Sequence, residues 1–121
     1  MTKRILVVED TEDNRQIIRD LLTSVGYELI EAVDGAEGVA MAQKERPDLI
    51  LMDMQLPQID GYEATRRIRA IPELAKVPII AVTSYALSGD EAKTREAGCD
   101  GYVAKPFSPR QLLAKIREFL P

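Results

Sequence analysis

The sequence predicts a single α/β domain of (βα)5 type, an open parallel sheet with helices on both faces. Three observations predict it. Five short apolar runs rich in β-formers alternate with segments of helical spacing. The first, third and fourth runs are almost wholly apolar, as strands buried on both faces are. The chain has 121 residues, one domain's worth, enough to bury a core without a disulfide or metal.

The elements follow in order. Ile5-Leu6-Val7-Val8 is the first strand. Ile17, Ile18, Leu21, Leu22 and Val25 form the stripe of a first helix, which Gly26 ends. Glu28-Leu29-Ile30 is short and mixed, which suits an edge strand. Asp34 is the expected N-cap of a second helix carrying Val39, Ala40 and Gln43, stopped by Pro47. Leu49-Ile50-Leu51-Met52 is the third strand, and Ala64, Ile68 and Ile71 mark a helix that ends near Pro72. After the fourth strand, Ile79-Ile80-Ala81-Val82, Ser88-Gly-Asp-Glu91 reads as a capping box. The helix it opens, about Asp90 to Ala97, buries mainly alanines and should be the least firmly packed. Tyr102-Val103-Ala104 is the fifth strand. Ser108-Pro-Arg-Gln111 is a second box with proline at the first helical position, and Leu112, Leu113, Ile116, Phe119 and Leu120 follow as its buried stripe. No linker or repeat interrupts residues 1–121, and the last helix leaves no room for an output segment, so the chain is expected to be a complete single domain.

Composition narrows the function. Lys and Arg total 16 against 20 Asp and Glu, a net charge of −4 that repels phosphate backbones and argues against nucleic-acid binding. Arg66-Arg67-Ile68-Arg69 is accordingly read as a solvated helix face. The lone Cys99 excludes an internal disulfide and is read as a packed small residue. With no histidine, imidazole acid–base chemistry and His-based zinc sites are excluded. No apolar run approaches the ~18 residues of a membrane span, and no signal peptide opens the chain, so no membrane partner and a cytoplasmic location are expected.

What remains is carboxylates, hydroxyls and lysines, and five of them fall where parallel sheets bind ligands, beyond the carboxyl ends of the strands. Glu9-Asp10 ends the first strand, Asp53 the third, Thr83-Ser84 the fourth and Lys105-Pro106 the fifth. The acidic strands flank the switch point of a sheet ordered 2-1-3-4-5. Any one carboxylate alone would read as a loop charge or a helix cap. Two carboxylates 5 Å apart repel by about 3 kcal/mol at an effective dielectric near 20. Three need counter-charge, which Lys105 and a divalent ion such as Mg²⁺ would supply. Asp53 would then be a carboxylate nucleophile toward phosphorus, with Thr83 donating to a phosphoryl oxygen and Lys105 pairing with its charge.

The set Val8-Glu-Asp10, Leu51-Met-Asp53-Met-Gln-Leu-Pro57 with Asp60-Gly61, Val82-Thr83 and Lys105-Pro106 resembles the receiver domains of two-component response regulators, in order and spacing along the whole chain. The resemblance implies a flavodoxin-like sheet with Asp53 as phosphoacceptor. It implies Mg²⁺ held by Glu9, Asp10, Asp53 and the backbone carbonyl of Gln55. It makes Thr83 the switch hydroxyl, Tyr102 the switch aromatic and Lys105 the phosphate-binding lysine, with a cis Lys105–Pro106 bond. The implied partners are a histidine kinase or histidine phosphotransfer protein as donor and a downstream protein target. Gly89-Asp-Glu91 and Ala97-Gly-Cys-Asp-Gly-Tyr-Val-Ala-Lys-Pro-Phe107 look most like stand-alone DivK-type regulators and the receivers of hybrid kinases.

On that resemblance a phosphoryl group draws Thr83 toward it, Tyr102 rotates inward, and the surface of the fourth helix, fifth strand and fifth helix changes shape. Asn14, Arg15, Ile18 and Leu22, with Phe107, Ser108 and Pro109, stand where partner specificity is expected. Bulky Tyr85 is expected to slow loss of the phosphoryl group. The protein would not be an enzyme in the usual sense, since its product is a conformation. Three other readings stay open: a Mg²⁺-dependent phosphohydrolase using Asp53, a phosphate-independent interaction module, and a flavin carrier. Gln55, where such hydrolases place a second Asp, weighs against the first. The intact Asp10, Asp53, Thr83 and Lys105 weigh against the second, and the acidic loop after strand one weighs against the third.

Overall fold

The computed structural model describes residues 2–84 and 89–121. Its strands are β1 (Arg4–Val8), β2 (Glu28–Ala32), β3 (Leu49–Asp53), β4 (Ile79–Thr83) and β5 (Gly101–Ala104). Its helices are α1 (Glu12–Ser24), α2 (Gly35–Glu45), α3 (Gly61–Arg69), α4 (Asp90–Ala97) and α5 (Pro109–Phe119), with a 3-10 turn at Pro72–Leu74. The sheet runs β2-β1-β3-β4-β5, every pair parallel. Every residue of β3 and β4 is buried, as their unbroken apolar runs require. The register pairs Val8 with Met52 and Asp53 with Val82, so the carboxyl ends of the three central strands lie side by side.

Two hydrophobic layers flank the sheet. On one face Leu6, Val8, Ile50, Met52 and Ile79 pack with Ala64 and Ile68 of α3. On the other Ile5, Val7, Leu49, Leu51 and Ile80 pack with Ile18 and Leu22 of α1 and Leu112 and Ile116 of α5. Each fully buried aliphatic side chain contributes about 1.5–3 kcal/mol. Met52 and Met54, on either side of Asp53, are buried in the first layer and fill space beneath the site. Cys99 is buried there too, its sulfur 3.8 Å from the Thr65 hydroxyl.

Several helices differ in detail from expectation. Ile17 of α1 is 60% exposed and Val25 41%, so the stripe narrows to Ile18 and Leu22 with Leu21 at its edge. In α2 the buried face is Gly35, Gly38 and Ala42, while Ala40 and Gln43 are exposed. The reason is close approach: a Cβ at Gly38 would stand 2.9 Å from Cγ2 of Val8. Two glycines carried that face, and periodicity in apolar side chains does not detect glycine. α4 buries Thr94 and Ala97 and leaves Ala92 outside. Ser88, expected to cap it, and Tyr85 lie outside the described residues; the N-cap position is held by Gly89 at φ +90°.

Other signals hold as read. Asp34 accepts from the Glu37 N–H, and the Ser108–Gln111 box closes in both directions. Arg66 and Arg67 are exposed, but Arg69 is not a solvated charge. It donates to the carbonyls of Gly98, Leu74 and Val77 and pairs with Asp100, joining α3 to the turn before β5. No described helix is long and apolar enough to cross a membrane.

Candidate functional site

The end of β1 sets the first carboxylate. The Glu9 N–H donates to the Ala32 carbonyl at 3.0 Å, keeping the chain in line with the sheet before α1 turns away. Arg15 of α1 donates to the Glu9 carbonyl at 2.7 Å and pairs with Glu12 and Glu31, so the loop is held from behind. Asp53 ends β3 directly beside it. Glu9 and Asp53 are each 3% exposed, whereas Asp10 is open to solvent. One oxygen of each of the three carboxylates lies within 4.8 Å of the others.

Lys105 enters from the end of β5, its N–H bonded to the Thr83 carbonyl at 2.7 Å. Its Nζ stands 3.0 Å from Glu9 Oε1 and 3.2 Å from Asp53 Oδ2. The Lys105–Pro106 bond is cis. Asp53 Oδ1 accepts from the Gln55 N–H at 3.0 Å, and Glu9 Oε2 from the Thr11 N–H at 3.1 Å. Glu9, Asp10, Asp53, Gln55, Thr83 and Lys105 therefore meet at one end of the sheet, although four separate strand ends supply them.

The charges explain the protonation tendencies. Burial pushes the Asp53 carboxyl up to about 6, more than the Gln55 N–H and Lys105 can offset, and the Glu9 charge adds to the rise. Burial acts on Glu9 in the same sense, but the Lys105 ammonium and the Thr11 N–H outweigh it and hold Glu9 below its ordinary value. Desolvation and the Glu9 carboxylate raise Asp10. Burial would lower Lys105, yet its two carboxylate partners hold it above the ordinary lysine value. One ammonium faces three carboxylates. A cluster of hard oxygens with excess negative charge fits Mg²⁺, which takes carboxylate oxygens and retains waters.

Other contacts surround this pocket. Thr83 is fully buried, and its Oγ1 accepts from Nε2 of Gln55 at 2.9 Å. Oε1 of Gln55 in turn accepts from the Ser84 N–H at 2.8 Å. Tyr102 is half-buried, and its phenol donates to Asp90 Oδ2 at 2.9 Å. Tyr62 of α3 donates to the other oxygen of the same carboxylate, while Lys93 lies over the Tyr62 ring, 4.5 Å from its centre. Asp60 caps α3 through the Glu63 N–H. Gly61 follows because a Cβ there would stand 2.2 Å from the Asp53 carbonyl oxygen.

The Gln55 side-chain bridge, the Asp90 junction and the Arg15 brace were not foreseen. The first two join side chains that no local pattern relates; Gln55 and Thr83 are 28 residues apart, as are Tyr62 and Asp90. Of the residues expected to face partners, Arg15, Ile18 and Leu22 are instead buried, since all three lie on the inner face of α1. Asn14, Ile17 and Ile18, with Glu9, Ser84, Lys105, Pro106 and Phe107, line a cleft of about 500 Å³ beside the acidic pocket. A shallower hollow of about 750 Å³, by Lys3, Tyr27 and Arg117, contains none of the site residues.

The family model of the response regulator receiver domain matches residues 5–117. The polar-differentiation response regulator DivK of Brucella ovis is 42% identical over 120 residues, covering 99% of this chain and 98% of its own. Among solved structures, the receiver domain of the Pseudomonas aeruginosa sensor histidine kinase PA1611, with a magnesium ion coordinated in its active-site cleft, is 42% identical. It superposes with a TM-score of 0.92 over 99% of this chain and 98% of that one. The Vibrio cholerae chemotaxis response regulator CheY4 is 30% identical with a TM-score of 0.93, over 98% of this chain and 99% of that one. With the five-stranded order, the clustered carboxylates and these likenesses together, the chain belongs to the response regulator receiver-domain family of two-component signalling.

Proposed function

We propose that residues 1–121 form one phospho-accepting switch in which Asp53 takes a phosphoryl group from a partner's phosphohistidine. The observation that carries this reading is the Asp53 carboxylate, buried beside Glu9 and Asp10 and touched by Lys105 at 3.2 Å. An Asp53 oxygen attacks phosphorus; the new P–O bond forms as the P–N bond breaks; the imidazole leaves with the electron pair and then takes up a proton. Lys105 pairs with the charge of the bound phosphoryl group, and the Thr83 hydroxyl donates to one of its oxygens. Mg²⁺, held by Glu9, Asp10, Asp53 and the Gln55 carbonyl, supplies charge neutralisation when bound.

The product is a conformation. Thr83 moving toward the phosphoryl group leaves room for Tyr102 to turn in from Asp90, and α4, β5 and α5 present an altered surface to a protein target. The donor is a histidine kinase or histidine phosphotransfer protein, and the protein works in the cytoplasm. An activity limited to accepting the group and slowly hydrolysing it follows from the same site, with Gln55 in place of a second catalytic carboxylate.

The test is intact mass after incubation with acetyl phosphate, with and without Mg²⁺, on wild type and Asp53→Asn. A single phosphoryl adduct that requires Mg²⁺ and disappears in the variant is the expected result. Rapid consumption of acetyl phosphate without an adduct would turn the reading to a phosphohydrolase. Neither adduct nor consumption, together with no transfer from a phosphohistidine protein, would leave an interaction module.

A further inference from the structure

Arg15 stands against two preferences at once. It is the fourth residue of α1, near the helix end where the dipole favours anions, and it is only 9% exposed, where a charge loses its water. Its guanidinium reaches in three directions. Nη1 donates to the Glu9 carbonyl at 2.7 Å, Nη2 donates to Glu12, and Nε faces Glu31 Oε1 at 3.4 Å. Arg19, one turn further on, pairs with the same two acids, Glu12 and Glu31. Holding those acids therefore does not require Arg15. What sets Arg15 apart is its bond to Glu9.

The Glu9 carbonyl belongs to the peptide that joins the two adjacent acids of the pocket. A peptide is planar, so fixing that carbonyl also fixes the Asp10 N–H opposite it, and with it the direction in which the Asp10 side chain leaves the backbone. The Glu9 N–H is fixed by the Ala32 carbonyl, and Glu9 Oε2 by the Thr11 N–H. Glu9 is thus held at its amide, its carbonyl and its side chain. Asp10 is open to solvent, yet one of its oxygens lies within 4.8 Å of oxygens of Glu9 and Asp53. Burial does not hold it there, so its place depends on the backbone that carries it.

We infer that Arg15 is a positioning residue for the divalent ion: its guanidinium fork holds the Glu9–Asp10 peptide so that the Asp10 carboxylate stays turned toward Glu9 and Asp53. The inference rests on the Mg²⁺ part of the reading above and adds to it a residue that acts from behind the ligands. Two effects of Arg15 on the ion have opposite signs. As a nearby positive charge it repels Mg²⁺, so its removal should tighten binding. As a brace it keeps the ligands in place, so its removal should loosen binding, by about ten-fold or more.

The test is Mg²⁺ binding to the folded protein by calorimetric titration, with metal-free melting recorded for each variant. The proteins are wild type, Arg15→Met, Arg15→Lys and Arg19→Met. Arg15→Met should bind Mg²⁺ about ten-fold more weakly. Arg19→Met removes a charge of the same sign from the same ion-pair network and should bind as wild type does, or slightly more tightly. Arg15→Lys keeps the charge, but one ammonium replaces the fork, so it should weaken binding by a smaller factor. If Arg15→Met does not fold, Arg15→Lys decides: weaker binding supports the brace, and wild-type affinity overturns it. A structural role alone would lower the melting temperature of Arg15→Met and leave the affinity of the folded protein unchanged. That result, or tighter binding, would overturn the inference. Equal changes in Arg15→Met and Arg19→Met would overturn it as well. A wild type that binds no Mg²⁺ would overturn the metal reading itself, and this one with it.

Discussion

Gly61 packs against Asp53 so closely that a Cβ on the glycine would stand 2.2 Å from the Asp53 carbonyl oxygen. It would also stand 2.6 Å from the Met54 Cα, and both neighbours are backbone, so neither can turn aside. The start of α3 is thereby pressed onto the residue that would carry the phosphoryl group. Gly61→Ala must push β3 and α3 apart. We expect it to cost about 1–3 kcal/mol, the usual range for overpacking, and to lower the melting temperature accordingly. Phosphorylation should fall as well, because the displaced backbone is that of the nucleophile; acetyl phosphate labelling at a temperature where the variant is folded checks this.

Asp53 makes the folded protein resist charging. Its carboxyl is raised to about 6, chiefly by burial, so the native state holds that proton more tightly than the unfolded chain does. A raised carboxyl contributes stability that is complete below its unfolded value and is lost as pH rises through about 6. Glu9 is lowered, and its contribution runs the other way, lost as pH falls through its folded value. Comparing wild type with Asp53→Asn isolates the first effect. In metal-free buffer the variant should melt a few degrees higher at pH 7, and the gap should shrink toward pH 4. A gap independent of pH between 4 and 7 would show that Asp53 titrates as an ordinary aspartate.

Adding Mg²⁺ should reverse that ranking. A ligand that binds only the folded state at a hundred times its dissociation constant stabilises by about 2.7 kcal/mol. Wild type should gain several degrees in melting temperature. Asp10→Asn and Asp53→Asn should each gain less, and Asp10→Asn should fold normally because its side chain is at the surface. Equal gains in all three proteins would place the ion elsewhere.

The Asp90 carboxylate accepts from two phenols, and through them α4 is tied to α3 and β5. Burial and the Asp90 charge push the Tyr102 phenol up to about 12. Asp90→Ala should bring Tyr102 back toward the ordinary tyrosine value, though not fully, since burial remains. The two lost bonds should together cost about 1–3 kcal/mol. Alkaline difference spectra of the variant with and without Tyr102→Phe separate this tyrosine from the others, and an unchanged titration would show that Asp90 does not hold it.

The sheet was legible because β3 and β4 are buried on both faces and their apolar runs have no polar interruption. The site was legible for a related reason: in a parallel sheet the carboxyl ends converge, so Asp10, Asp53, Thr83 and Lys105 could be placed together by strand order alone. What stayed hidden has no periodic signature. The inner face of α2 rests on Gly35 and Gly38, where the packing atom belongs to the neighbour. Arg15 looked like a partner-facing charge, but its guanidinium turns inward to the Glu9 carbonyl, a bond that depends on the loop path. Gln55 offered its backbone to the reading, while its side chain took the more specific contacts.

Cys99 sits 6% exposed behind α3, its thiol raised to about 11 by burial. At neutral pH such a sulfur is neither charged nor reachable, so a thiol reagent can modify it only when the surrounding structure opens. Its labelling rate therefore acts as a clock for breathing of the α3–β5 layer. The protein has no tryptophan to report that motion by fluorescence, and carries its own chemical timer in place of one.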